Sequence, residues 1–215
     1  MRRVYVEGLI VPDEDQEMMD YFGYPCMCPR KLRMALEEAD GDDVELWINS
    51  YGGDVWAAMA MYADLQSYPG GTIAFVTGLC ASAATIILCG CDMASASIGA
   101  QLMVHNASTS SDGDYHDMYT SAEQLKTADD AILAVYVKRT GKSYDELKAY
   151  MERTTWFSAQ TALEIGFVDE VADFSDQRLI AGVVNVEDLR AQYQAVRDKQ
   201  DASKEAIVLE RERYR

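Results

Sequence analysis

Gly78-Leu79-Cys80-Ala81-Ser82-Ala83-Ala84-Thr85 joins two apolar stretches of different period. Before it, Thr72-Ile73-Ala74-Phe75-Val76 reads as a strand. After it, the apolar run predicts a helix of about two turns. Only small residues fit such a tight strand-to-helix turn, and a serine placed there is held outward at the end of the sheet. The helix that follows offers unpaired backbone N–H groups and the positive end of its dipole to any negative charge that develops beside the hydroxyl. Ser82 is therefore a candidate nucleophile. A hydroxyl needs a base to take its proton, and His105, at the end of Leu102-Met103-Val104-His105, is the candidate.

Working outward, Val4-Tyr5-Val6-Glu7-Gly8-Leu9-Ile10 reads as an opening strand and Asp13 to Pro29 as an acidic, irregular stretch. Leu32, Ala35, Leu36 and Ala39 recur at helical spacing, which predicts a helix over Pro29–Ala39 with proline at its start. Val44–Ile48 alternates as a strand and runs into Asn49-Ser50-Tyr51-Gly52-Gly53; Ala57–Leu65 is helical. Strands beginning at Val44, Thr72 and Leu102 recur about every 28 residues, a spacing that suits parallel strands joined by helical crossovers. Asn106–Tyr115 is polar and reads as a mobile loop. A long helix over His116–Arg139 follows, with Leu125, Ala128, Ile132 and Val135 on one face. Ser143-x-x-Glu146 suggests a capping box and Ser158 a further cap, while Phe167–Val171 looks like a closing strand. Past Asp173 the chain is dense in charge, so residues 1–174 form the expected domain and 175–215 a helical or partly disordered tail.

Composition removes several classes of function. With 215 residues, 49% of them hydrophobic, the chain can bury a sizeable core. Its 36 acidic and 19 basic residues give a net charge of −17, which argues against a nucleic-acid surface. Nothing reads as a membrane span or a leader peptide, so a cytoplasmic protein is expected. Cys80, Cys89 and Cys91 sit among apolar or small residues and read as buried reduced thiols. Cys26-Met27-Cys28 offers only two of the four ligands zinc needs, and the chain has two histidines, so no metal and no cofactor are expected.

Each candidate also has a structural reading. A serine in a small-residue turn is commonly only a turn residue, and a histidine at a strand end is commonly a satisfied polar group. Their combination with Gly52-Gly53 points to chemistry. A glycine pair at a strand end lets the backbone approach a ligand closely, and the N–H of Gly53 with that of Ala83 would form an oxyanion hole. His116, at the start of the long helix, reads as a solvated residue. Lys126 and Lys138, the alternative bases for a Ser-Lys dyad, read the same way.

Ile48-Asn49-Ser50-Tyr51-Gly52-Gly53, Gly78 to Ala83, Leu102 to His105, and Glu152-Arg153-Thr154-Thr155-Trp156-Phe157-Ser158-Ala159 through Asp169 resemble, in this order, the ClpP family of serine peptidases. The resemblance spans Arg3 to Asp173, and the Thr155-Trp156 pair with Ala81-Ser82-Ala83-Ala84 is closest to the ClpP-like head maturation proteases of phages and prophages. It implies an α/β spiral of ββα units with a long handle helix at His116–Arg139. It also implies a homo-oligomeric ring, a heptamer or double ring, enclosing the sites. Ser82 would be the nucleophile, His105 the base, and Gly53 and Ala83 the oxyanion amides. Substrates would be capsid or scaffold proteins, or unfolded chains delivered by an ATPase.

The chain departs from the family in having Tyr51 before the glycines and no proline in the loop after His105. More importantly, Thr154 stands where the family's triad acid belongs, and threonine carries no charge to offset an imidazolium. Three explanations stay open: Glu152 or Asp169 substitutes, a dyad works with Thr154 or a carbonyl fixing the tautomer, or the subunit is catalytically weak. Other readings of the whole chain are an inactive ring subunit and an acyl-CoA-handling protein of crotonase type.

Overall fold

The computed structural model describes residues 2–172; the expected boundary at 174 and the tail lie outside them. Strands β1 (Arg2–Ile10), β2 (Cys26–Met27), β3 (Val44–Gly53), β4 (Thr72–Ala81), β5 (Met93–Ser97) and β8 (Glu170–Ala172) form one parallel path in the order β2-β1-β3-β4-β5-β8. Helices α2 (Pro29–Ala39), α3 (Val55–Ser67) and α4 (Ala83–Gly90) connect or follow these strands, which gives the strand-helix rhythm its parallel crossovers. This is the α/β architecture expected.

The path forks at β4. Ile73–Val76 pairs with β5, whereas Leu79–Ala81 pairs in parallel with β6 (Gln101–Val104). β7 (Thr155–Ser158) then pairs antiparallel to β6. Against β3, Ile48 faces Val76 and Ser50 faces Cys80, so three residues of β4 stand against Asn49 alone. The Asn49 side chain spans that bulge by accepting the Leu79 N–H at 3.0 Å. The bulge turns the second half of β4 away from β5 and toward β6.

α4 is buried at all eight positions, as an apolar helix without a polar face must be. It packs on β1, β3, β4, β6, α3 and α5 (Tyr115–Thr140). Ile86, Ile87 and Leu88 are almost wholly excluded from water, each contributing about 1.5–3 kcal/mol of transfer free energy. α5 is the long handle helix, starting one residue before the expected bound and ending one after it. Ala128, Ile132 and Val135 are buried as expected, joined by Leu133 and Tyr136; Leu125 is half-buried.

Several expectations need correction. The stretch from Asp13 to Pro29 is not irregular: it holds α1 (Gln16–Phe22) and β2. β3 does not stop at Ile48 but continues through the glycine pair, because Leu9 and Ile10 of β1 remain paired with Gly52 and Gly53. β5 was not expected at all. In the closing segment Phe167 and Val168 are buried, and the strand begins at Glu170. Ser143 caps α6 (Tyr144–Glu152) by accepting the Glu146 N–H, but the reciprocal capping box belongs to Asp114 and Asp117 at the start of α5. Ser158 caps α7 (Ala159–Ile165) as expected.

Candidate active site

Ser82 is the N-cap of α4, with φ 55° and ψ −127°. A residue with a side chain enters that region only when its surroundings force it, at a cost of about 1–3 kcal/mol. Three bonds impose it here. The Ser82 N–H donates to Met103 O on β6 at 2.8 Å, the Thr85 N–H donates to Ser82 O at 2.9 Å, and the Thr85 hydroxyl donates to the same oxygen at 2.6 Å. The Thr85 hydroxyl has one hydrogen, so Tyr136 of α5 is the donor in its 2.5 Å contact with Thr85 Oγ1. Burial pushes the Tyr136 phenol well above its ordinary range, which keeps it a proton donor.

The Ser82 side chain makes no capping bond to its helix. It turns instead to His105, with Oγ 2.7 Å from Nε2. β4 and β6 are hydrogen-bonded neighbours, so the two side chains issue from adjacent strand ends, Ala81 beside Met103. For Nε2 to accept the hydroxyl proton, Nδ1 must carry the ring hydrogen. Among the described residues the ring's hydrogen bond to Ser82 is its sole one.

The glycine pair packs against this turn. A Cβ on Gly52 (φ 92°) would lie 2.6 Å from Ala81 O, 2.7 Å from Ser82 Cβ and 2.8 Å from Ala83 N. A Cβ on Gly53 (φ 148°) would lie 2.1 Å from Ile10 O. Both glycines are thus required by close backbone approach, Gly52 to the serine turn and Gly53 to β1. Ala83 is the first residue of α4, where a helix N–H has no intrahelical partner. A cleft of about 660 Å³ opens beside Gly53; Ser82 and His105 are not among its lining residues. Ile10, Gly53, Trp56, Ala107, Thr109 and Leu125 are among its walls, so it runs from the glycine turn to the segment after His105 and the handle helix.

The other expected residues are not drawn in. Thr154 is exposed, with φ 52° and its N–H bonded to Met151 O. The β6–β7 ladder ends at the Val104–Thr155 pair, so His105 is the residue after β6 and Thr154 the residue before β7. Glu152 is exposed and lies 3.9 Å from Lys148. The Asp169 carboxylate accepts the Ala94 N–H at 2.7 Å and pairs with Arg139 at 2.5 Å. His116 is exposed and stacked on Tyr115, 3.8 Å between centroids. Lys138 binds Gln66 and lies over the Tyr62 ring, and Lys126 is exposed.

One acid that sequence reasoning missed does stand near. Asp129 of α5 accepts the Ala107 N–H at 2.7 Å, two residues past His105. In the helical pattern it is simply a polar position beside Asp130, and nothing in the sequence sets it apart.

The cysteines are all free thiols. Burial pushes Cys80 well above its ordinary value and Cys91 up to about 12, so neither is a thiolate at neutral pH. Among the described residues no cluster of three or more His, Cys, Asp or Glu side chains has the arrangement of a metal site. No helix among them is long and apolar enough to cross a membrane.

Residues 29–175 match the Clp protease family. The chain is 30% identical over 154 residues to the ATP-dependent Clp protease proteolytic subunit 1 of Leifsonia xyli, covering 71% of this chain and 77% of that protein. It is 32% identical over 153 residues to the proteolytic subunit 2 of Nocardia farcinica, covering 70% and 75%. To the subunit 2 of Corynebacterium diphtheriae it is 31% identical over 149 residues, covering 68% and 74%. A parallel sheet whose β4–α4 turn presents a serine to a histidine, matched over most of its length to these sequences, belongs to the Clp protease family of serine peptidases.

Proposed function

We propose that the chain is a serine endopeptidase acting through an acyl-enzyme on Ser82. The observation that carries this reading is the 2.7 Å approach of Ser82 Oγ to His105 Nε2 in a turn held against the serine's preferred backbone geometry. As Oγ attacks the peptide carbonyl carbon, its proton passes to Nε2. The carbonyl oxygen gathers negative charge beside the backbone N–H groups of Gly53 and Ala83. The imidazolium then gives its proton to the leaving amine, the C–N bond breaks, and water repeats the sequence to release the acid. The cleft beside Gly53 and Ala107, with its mixed polar and apolar lining, is where the substrate chain would lie.

The chemistry on this chain needs no nucleotide. Assembly into a homo-oligomeric ring and supply of unfolded chains by an ATPase follow the family pattern; the names of the relatives ascribe ATP dependence to them. Processing of phage capsid or scaffold proteins is the preferred setting, supported by the Thr155-Trp156 block and the charged stretch beyond Asp173. A cytoplasmic location fits the reduced, buried cysteines.

Treatment of the assembled protein with a fluorophosphonate, followed by peptide mapping, tests the reading. A single adduct on Ser82 is expected. An assembled ring that takes up no label would instead be a subunit kept for structure, the reading that Thr154 favours.

A further inference from the structure

The Ser82–His105 pair carries no negative charge at the position where the family resemblance places one, since Thr154 is neutral. The two acids named as substitutes for Thr154 face other partners: Glu152 stands by Lys148, and Asp169 is held by Ala94 and Arg139. A different element offers a negative charge close to the segment that leaves His105.

We propose that Asp129 of the handle helix is the positioning residue of the Ser82–His105 pair, supplying the negative charge that Thr154 lacks. The inference rests on the serine peptidase reading above.

Three observations carry it. The first is the anchor: Asp129 Oδ1 accepts the Ala107 N–H at 2.7 Å, which fastens the carboxylate to the segment that leaves His105. The second is the rigidity of its mount. Ala128 and Ile132 on either side of Asp129 are 5% and 3% exposed, and Tyr136, two turns on, is bonded through Thr85 to the serine turn itself. One helix thus holds both the nucleophile's backbone and this carboxylate. The third is its setting, for Asp129 is half-buried while its neighbour Asp130 is exposed and bonded to Tyr144. Burial raises the Asp129 carboxyl above its ordinary value; the Ala107 N–H draws it down, Asp130 pushes it up, and the charge of His105 draws it down.

Asp129 neither gives nor takes a proton in this scheme. It remains a carboxylate while the proton of Ser82 resides on His105, and it favours the charged ring during that interval. Its anchor is backbone, so its influence is electrostatic across a gap and smaller than that of an acid bonded to the ring.

The charged and titratable groups at this corner are Asp129 and Asp130 from α5, Tyr144 from α6 and His105 beyond the end of β6; β7 brings Thr155, and the turn before it Thr154. Removing the Asp129 charge makes the imidazolium harder to form. The acid limb of the pH–rate profile then moves to lower pH while the plateau falls.

The test is the rate of Ser82 phosphonylation by a fluorophosphonate, measured against pH on the assembled full chain. Asp129→Asn preserves an acceptor for the Ala107 N–H and removes the charge. We expect its plateau rate to fall about 10- to 100-fold, less than the roughly 10⁴-fold loss that follows removal of a directly bonded triad acid, with the acid limb shifted down. Asp129→Glu, which keeps the charge, should recover part of the rate. Thr154→Asp added to Asp129→Asn should restore it by supplying the charge from β7's side. Asp130→Asn should leave it near the wild-type value. If wild-type Ser82 is labelled and Asp129→Asn matches it in rate and pH profile, Asp129 has no such role and the peptidase reading stands. Absence of label on wild-type Ser82 would remove both.

Discussion

Two neighbouring strands, β3 and β4, each end in a turn that starts a helix, yet the two turns are built for different ends. At the first, Asp54 is an ordinary N-cap: extended backbone, with its carboxylate accepting the Ala57 N–H at 2.7 Å. At the second, Ser82 holds the cap position without capping, in left-handed backbone, and its hydroxyl goes to His105. Serine is among the best N-cap residues, so its failure to cap is informative. The first junction stabilises its helix, and the second gives up that bond to aim an oxygen.

The sharpest way to break this contrast is at the serine. Ser82→Ala should lower peptide hydrolysis about 10⁴-fold or more while the thermal midpoint barely moves, because no cap bond is lost. Ser82→Gly should be equally inactive but melt higher than Ser82→Ala, since glycine relieves the φ of 55°. Equal midpoints for the two would show that the turn stores no strain.

Gly52→Ala comes next, because it drives the two turns into each other. Its Cβ would meet Ala81 O, Ser82 Cβ and Ala83 N inside 3 Å. Loss of fluorophosphonate labelling together with a lower midpoint is expected. A labelled, stable variant would mean the two strand ends separate freely.

At the ordinary junction the expectation reverses. Asp54→Ala should lower stability by about 1 kcal/mol in a denaturant melt, with a much smaller change in labelling rate than any substitution at Ser82.

The smallest effect lies at the far end of the same α3. Burial raises the Asp64 carboxyl above its ordinary value, Arg33 partly opposing and Asp13 adding to the rise. Its Oδ2, 3.7 Å from Arg33 Nε, has no hydrogen-bond partner among the described residues. A carboxyl raised on folding favours the folded state most below its ordinary value, near 3.8, and that contribution is lost as pH rises through the folded value. Asp64→Asn should therefore raise the midpoint slightly at pH 7, with the gain shrinking toward pH 4. A gain independent of pH would assign the effect to something other than charge.

The strand-to-helix turns were legible in the sequence because each combines an abrupt change of period with glycine or small residues. Pro29–Ala39 was read to the residue, its proline and its 3–4 spacing agreeing. β5 was invisible: Met93-Ala94-Ser95-Ala96-Ser97 has neither β-branched nor aromatic residues, and it is a strand because β4 and β8 enclose it. α1 was hidden for the opposite reason. It buries no residue, so it shows no apolar face to detect. Ser82 and His105 were found from their local settings. Asp129 was not, because what distinguishes it from Asp130 is a contact with Ala107 that exists only once the handle helix has docked.

The fork in β4 has a mechanical consequence. Through Leu79–Ala81 the strand carrying the serine is laced to the strand carrying the histidine, and Ser82 N adds one more stitch to Met103 O. The backbones that carry the two side chains are therefore joined by strand pairing and not by a loop alone. The handle helix joins the same framework, through the Ala107 hydrogen bond to Asp129 and through the Tyr136–Thr85 contact. A change in the handle helix can therefore reach the serine turn without touching Ser82 or His105.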